Sequence, residues 1–221
     1  MGISSFEAVV LATDPAKHTS GASLLIPDYG PMDQQHPFRG DYVLYEFGRV
    51  ETQAERKRYV EQLIDLSDEL GVPPVFVAET WDPPHDKKVR LANGSFALVK
   101  DQKWTYKTIL GIGEGWGRWS AEIEAANEFR EEEGQPAIIV ERVLPDPWRD
   151  AVFGERRPRD TASSKATAQR FFTGVFGYEV STPDVAEAGC IGVYAITSPA
   201  IAKLVQAYPQ PKPKLPKKKR R

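Results

Sequence analysis

One cysteine, Cys190, stands in the 221 residues. That excludes an internal disulfide framework and any cysteine-rich zinc site, and a reducing cytoplasm is the simplest setting to expect. No apolar run approaches the ~20 residues of a membrane span. The opening MGISSFEA has neither the basic segment nor the long apolar stretch of a secretory signal, so no membrane partner is expected. No internal repeat is visible. The glycines at 111, 113, 115 and 117 are not followed by Gly-Lys-Ser/Thr. The signal for a phosphate-cradling loop is therefore weak, and no small-molecule cofactor is expected.

Acids outnumber bases in the body, and bases stand alone at one end. The net charge is −2, and the segment PQPKPKLPKKKRR, Pro209 to Arg221, holds seven Lys or Arg and no acid. Subtracting those seven leaves −9 for the rest. Such a proline-rich basic stretch cannot bury enough apolar surface to fold alone. It is read as a disordered tail over 208–221, with Lys217, Lys218 and Lys219 as phosphate-gripping residues. A solubilising terminus and a nuclear localisation signal are the other readings of the same composition.

Residues 6–12 (FEAVVLA), 22–26 (ASLLI) and 41–50 (DYVLYEFGRV) are β-prone runs without a helical stripe, and each predicts a strand. From Thr52 to Leu70, Tyr59, Leu63, Leu66 and Leu70 recur at spacings of three and four. Thr52 with Glu55 fits a capping box, and Gly71 stops the helix. VFVAE, 75–79, is the next strand. Residues 80–107 read as an inserted basic and aromatic hairpin. Asn93-Gly94 marks its turn, and Lys87, Lys88, Arg90, Lys100, Lys103, Trp104 and Lys107 are candidate nucleic-acid contacts. A helix over 108–133 is expected next, then a fifth strand over 137–141. A short helix after Pro147 and another over 162–173 follow. The last helix begins at Pro183 and runs to about Ala207, broken at Pro199. The order predicts an α/β domain over 1–207, three antiparallel strands followed by parallel strands between helices.

The first strand runs into Asp14-Pro15, and the fourth ends on Glu79. Asp184 and Glu187 are three apart and so share one face of the last helix. If that helix packs beside the two strands, all four carboxylates meet. A crowd of acids repels itself unless cations neutralise it. Oxygen-only ligands favour hard ions, Mg²⁺ or Mn²⁺, and two such ions support phosphodiester hydrolysis. Duller readings stay open. Asp-Pro starts turns, Glu79 can be a solvated strand end, and acids in a first helical turn favour the helix dipole.

VVLATDPAKHTSGASLL, with Asp14, Pro15, Ser20 and Gly21, resembles the opening of RuvC-type Holliday junction resolvases, members of the RNase H-like nuclease superfamily. FVAETW is similar to that family's fourth strand, and DVAEAGCIGVYAI to its final helix. The resemblance implies an RNase H-like fold with a five-stranded mixed sheet. It also implies a Mg²⁺-dependent endonuclease that resolves four-way DNA junctions as a homodimer through paired symmetric nicks. Asp14, Glu79, Asp184 and Glu187 would hold two Mg²⁺, with Mn²⁺ able to substitute. Lys165 falls where the family has a lysine near the scissile phosphate. Arg149, just after the fifth strand, is a further candidate DNA contact. The matching helix lies at the family's dimer interface, so Gly111, Gly113, Gly115 and Gly117 would form flat patches against a partner helix. Ala16 in place of the usual glycine, Glu187 in place of aspartate, the inserted hairpin and the basic tail depart from the pattern. They point to a divergent branch, such as a phage-encoded one, in a bacterial or phage-infected cytoplasm. A non-catalytic branched-DNA-binding protein, or an RNase H-like nuclease acting on RNA–DNA hybrids or flaps, would share the fold.

Overall fold

Two apolar runs without polar alternation, Val9–Pro15 (β1) and Ser20–Pro27 (β2), pair antiparallel and are buried along nearly their whole length. Such runs belong at the centre of a sheet covered on both faces. The computed structural model describes residues 6–15, 18–28, 42–80, 87–90, 96–99, 106–154, 158 and 160–209. For 87–90, 96–99, 106–110, 112 and 161 it describes the backbone alone. Tyr42–Val50 (β3) pairs antiparallel with β2. Pro74–Glu79 (β4) lies parallel to β1, and Ile139–Val143 (β7) lies parallel to β4. The sheet order is β3-β2-β1-β4-β7, the five-stranded mixed sheet expected from the sequence. Lys87–Arg90 (β5) and Phe96–Val99 (β6) pair antiparallel as a separate two-stranded sheet, which is the inserted hairpin.

The first strand starts three residues later than the apolar run predicts. Residues 6–8 are held instead by Tyr42, whose hydroxyl donates to the Phe6 carbonyl at 2.6 Å and accepts from the Ala8 amide at 3.1 Å. β7 is displaced by two residues, to 139–143. The Ile138 amide is taken by the Asn127 side chain at 2.8 Å, and the ladder begins at Val75 opposite Ile139. β7 is an edge strand with an open side, so its Glu141 and Arg142 are tolerated where a buried strand would exclude them.

Helix α1, Gln53–Leu70, starts at the expected capping box. Thr52 Oγ1 accepts from the Glu55 amide at 3.2 Å, and Glu55 Oε2 accepts from the Thr52 amide at 2.8 Å. It ends on Gly71 at φ 69°, a left-handed setting natural to glycine. Helix α2, Tyr106–Glu132, passes through all four glycines of the 111–117 run without a break. Helix α3 is Pro145–Phe153, so Pro147 lies inside its first turn rather than before it. Proline is tolerated there because that amide has no helical acceptor. Helix α4 is Thr161–Phe176. The final expected helix is two, α5 (Pro183–Thr197) and α6 (Pro199–Gln206), bent by 62°. No single described helix is long and apolar enough to cross a membrane.

The sheet separates two cores. On one face Val9, Leu11 and Phe76 pack with Tyr59 and Leu63 of α1 and Trp119 of α2. On the other, Val10, Ala12, Val75 and Val77 pack with α5, Trp148 of α3 and Phe172 of α4. Alternation along β1 therefore points Asp14 toward the α5 face.

Candidate active site

Parallel pairing sets the first two carboxylates side by side. Thr13 is opposite Ala78 in the β1–β4 ladder. Asp14 and Glu79 are the next residues of the two strands, on the same face and at the same end of the sheet. Such ends, where parallel strands finish, are the usual place for a site in an α/β sheet.

The second pair arrives on α5, and glycine lets it in. Gly21 is opposite Asp14 in the β1–β2 ladder. A Cβ on Gly21 would lie 1.9 Å from the Asp184 carbonyl oxygen and 2.6 Å from the Val185 nitrogen. The first turn of α5 thus rests directly on the β2 backbone. Farther along, a Cβ on Gly192 would meet Leu25 at 2.5 Å, and one on Gly189 would meet Phe172 at 2.4 Å. The Ser23 hydroxyl donates to the Ala188 carbonyl at 2.9 Å and pins the middle of the helix. Small residues are thus what allow α5 to lie close on the sheet, at Gly21 and Gly192, and on α4, at Gly189.

The result is a convergence of residues scattered through the chain. Carboxylate oxygens of Asp14, Asp184 and Glu187 lie within 4.8 Å of one another. Glu79 stands beside this set, tied to it through Arg149. Arg149 Nη2 is 3.0 Å from Glu187 Oε1 and 3.7 Å from Glu79 Oε2. The Trp148 indole nitrogen donates to Glu79 Oε2 at 2.7 Å. Lys165 Nζ is 3.1 Å from Asp184 Oδ1.

Four carboxylates against two cations leave an excess of negative charge in a partly dry place. Asp14 is pushed well above the usual carboxylate range, first by burial and then by Glu79, Glu187 and Asp184. Glu79 is pushed up to about 7 by burial, against the opposing pull of Arg149 and the Trp148 hydrogen bond. Glu187 is raised by burial as well, with Arg149 and Lys165 working against the shift. For Lys165, burial acts to lower the ammonium pKa. The hydrogen bond and charge of Asp184 outweigh it and hold the ammonium above its ordinary value. The donor set is oxygen only and short of positive charge, which fits a hard divalent ion. Beneath it, burial pushes the Cys190 thiol up, so that residue packs rather than reacts.

The sequence-predicted residues divide cleanly. Asp14, Glu79, Asp184, Glu187 and Lys165 come together. Arg149, expected at a DNA surface, turns inward onto two carboxylates, and Trp148 is fully buried as an orienter of Glu79. Lys87, Lys88 and Arg90 lie on β5, and Lys107 in the first turn of α2, with side chains outside the described residues. Lys100, Lys103, Trp104, Lys217, Lys218 and Lys219 also lie outside the described residues. Gly111 and Gly115 are buried within this one chain, on the same row as Trp119, while Gly113 and Gly117 are exposed. What sequence reasoning missed is the steric role of Gly21 and the inward aim of Arg149. Gly189 and Gly192, three apart on a helix beside the acids, were the available signal for close packing of α5.

No protein-family model and no curated protein sequence matches the chain. Among solved structures, Thermus thermophilus RuvC in complex with a Holliday junction substrate is similar over 92% of this chain and 99% of its own, at 14% identity and a TM-score of 0.47. The yeast mitochondrial Holliday junction resolvase is similar over 91% and 84%, at 9% identity and a TM-score of 0.41. The fowlpox virus resolvase, solved with Holliday junction DNA, is similar over 85% and 96%, at 10% identity and a TM-score of 0.39.

Proposed function

We propose that the chain is a divalent-metal-dependent endonuclease that cuts branched DNA, with the four-way junction as its substrate. The observation that carries this is the meeting of Asp14, Asp184 and Glu187 within 4.8 Å, from positions 170 residues apart in the sequence, with Glu79 alongside. A helix-dipole role for Asp184 and Glu187, or a turn role for Asp14, gives no reason for them to share one pocket. The junction as substrate follows from the sequence resemblance.

Asp14, Asp184, Glu187 and Glu79 would hold the ions, two Mg²⁺ in the full centre, with Mn²⁺ able to substitute. Such ions supply Lewis-acid stabilisation of phosphoryl oxygens and a nucleophilic water at neutral pH. The chain's own residues prepare the place. Burial raises the carboxyl pKa of Asp14, Glu79 and Glu187 in the metal-free state, so cation binding is coupled to loss of protons from them. Trp148 fixes the rotamer of Glu79 through one hydrogen bond. Lys165, partly exposed, stands at the rim of the cluster, where a phosphate would approach. The exposed Gly113–Gly117 row of α2 is the surface for a second copy, which would set two cutting centres against two strands. The hairpin cations and the 208–221 tail would grip phosphates outside the centre.

The test is cleavage of a synthetic four-way junction by the purified full-length chain with Mg²⁺, beside linear duplex, flap and RNA–DNA hybrid. Preferential junction cutting that Asp14→Asn abolishes while binding persists is expected. Equal cutting by the Asp14→Asn protein overturns the metal-centre reading. Preference for the hybrid or flap replaces the junction as substrate.

A further inference from the structure

The two cations at the cluster are not equivalent. Among the described residues Lys165 forms its ion pair with Asp184, and its side chain is 39% exposed. Arg149 reaches inward to a pair of carboxylates and does so through one nitrogen. Nη2 makes the 3.0 Å contact with Glu187 Oε1 and the 3.7 Å contact with Glu79 Oε2. The Arg149 Nε–H is buried with no hydrogen-bond partner among the described residues. The guanidinium carbon sits 4.9 Å from the centre of the Trp148 ring. This is a single-nitrogen bridge, without the paired parallel bonds that make an arginine–carboxylate fork strong and fixed. A positive charge held by so few bonds, between two acids that repel each other, neutralises them as a cation would.

The grouping of the oxygens makes the same division. Asp14, Asp184 and Glu187 are gathered within 4.8 Å of one another. Glu79 is outside that group, with Oε2 already accepting from Trp148 and facing Arg149. Asp184 and Glu187 each meet one internal cation, Lys165 and Arg149, yet with Asp14 they are close enough to share one ion, while Glu79 stands outside that group and is engaged by both Trp148 and Arg149.

We propose that Arg149 is a positioning residue that serves as a resident counter-cation between Glu79 and Glu187, so that the centre loads its divalent ions in sequence. The first ion is taken by Asp14, Asp184 and Glu187 with Arg149 in place. The second needs Glu79 and enters only as the guanidinium leaves. Trp148 holds both parts of the device, donating to Glu79 and backing the arginine with its ring. The inference rests on the metal-centre reading given above. It goes beyond it by assigning the order of loading and the residue that sets it.

The experiment is calorimetric titration of MnCl₂ into the metal-free full-length chain without DNA, at one fixed pH near 7.5. Electron paramagnetic resonance would detect spin-coupled Mn²⁺ pairs. The wild-type chain should bind one ion at least about tenfold more tightly than the second, because an opposing charge at ~4 Å in a medium of effective dielectric near 20 changes a binding constant by more than that. Arg149→Met should tighten the second ion by about tenfold or more, and coupled pairs should appear near two equivalents. Its metal-free form should melt lower than wild type and recover with Mn²⁺. Arg149→Lys, which keeps the charge in a more flexible chain, should shift the second ion in the same direction by a few-fold. This arm decides the matter should the methionine variant not fold. A merely structural arginine would not tighten metal binding when removed. A second-ion affinity unchanged or weakened in the folded variants, with Asp14→Asn still losing the tight ion, overturns the sequential device and leaves the metal centre standing. A wild-type chain that binds no Mn²⁺, or an Asp14→Asn chain that keeps the tight ion, overturns both.

Discussion

Adding one methyl group at Gly21 should disconnect the two halves of the acidic cluster. The Cβ of Gly21→Ala would sit 1.9 Å from the Asp184 carbonyl oxygen and 2.2 Å from its carbon. Reaching an ordinary contact of roughly 3.4 Å requires about 1.5 Å of separation, and both partners are backbone, so no side chain can swing away. Overpacking of this kind costs about 1–3 kcal/mol, and the upper half of that range is expected here. The rest of α5 is fixed by Ser23 and by the tight Gly189 and Gly192 contacts, so relief comes at its first turn, which carries Asp184 and Glu187. Misplacement by about 1 Å can lower a catalytic rate ~100-fold. Urea unfolding should show the stability loss. Mn²⁺ calorimetry should show a weakened first ion, and junction cleavage should fall with it. A Gly21→Ala chain with wild-type unfolding midpoint and Mn²⁺ affinity would refute the view that direct backbone contact at Gly21 seats α5.

Gly113→Ala is the opposite case. It lies inside α2, exposed, with nothing described within 4 Å of an added Cβ, so thermal melts should show a gain of about 0.5–1 kcal/mol from helix propensity. For Glu79, the folded-state pKa of about 7 stands above the ordinary glutamate value of 4.5. The native state therefore binds the extra proton, and stability is highest below pH 4.5 on this account. It falls as pH rises to 7, by at most about 3 kcal/mol. Denaturant titrations of the metal-free chain across that window should show the fall, and added Mn²⁺ should reverse it most strongly at the alkaline end. Trp148→Phe removes the donor to Glu79 Oε2. It should cost about 1–2 kcal/mol and move the Glu79 titration to still higher pH, readable by NMR of the labelled carboxyl.

Most of the sheet was legible because its central strands are unbroken apolar runs bounded by turn residues. α1 announced itself through period, cap and terminal glycine together. Edges were harder. β7 carries Glu141 and Arg142 because one side faces solvent, so its apolar letters begin two residues before its ladder does. α3 was placed late because Pro147 reads as a breaker until its position in the first turn is known. Of the site, the four acids were legible because strand ends and a helix spacing mark them. Arg149 was not, since nothing in VLPDPWRD says whether the guanidinium faces the strand ends or solvent. That depends on Trp148 being buried beneath Glu79, a tertiary fact. The glycine run of α2 was read as one interface, yet Gly111 and Gly115 are buried within the single chain, leaving the other pair outward.

Helix α5 is almost entirely enclosed, and it brings half of the acidic cluster from position 184 onward to a strand that begins at position 9. Synthesis runs from the N-terminus, and domains fold as the chain emerges. The five strands can therefore be made and paired before the residues that complete the pocket have left the ribosome. A message truncated anywhere upstream of α5 would yield a sheet lacking two of its four acids.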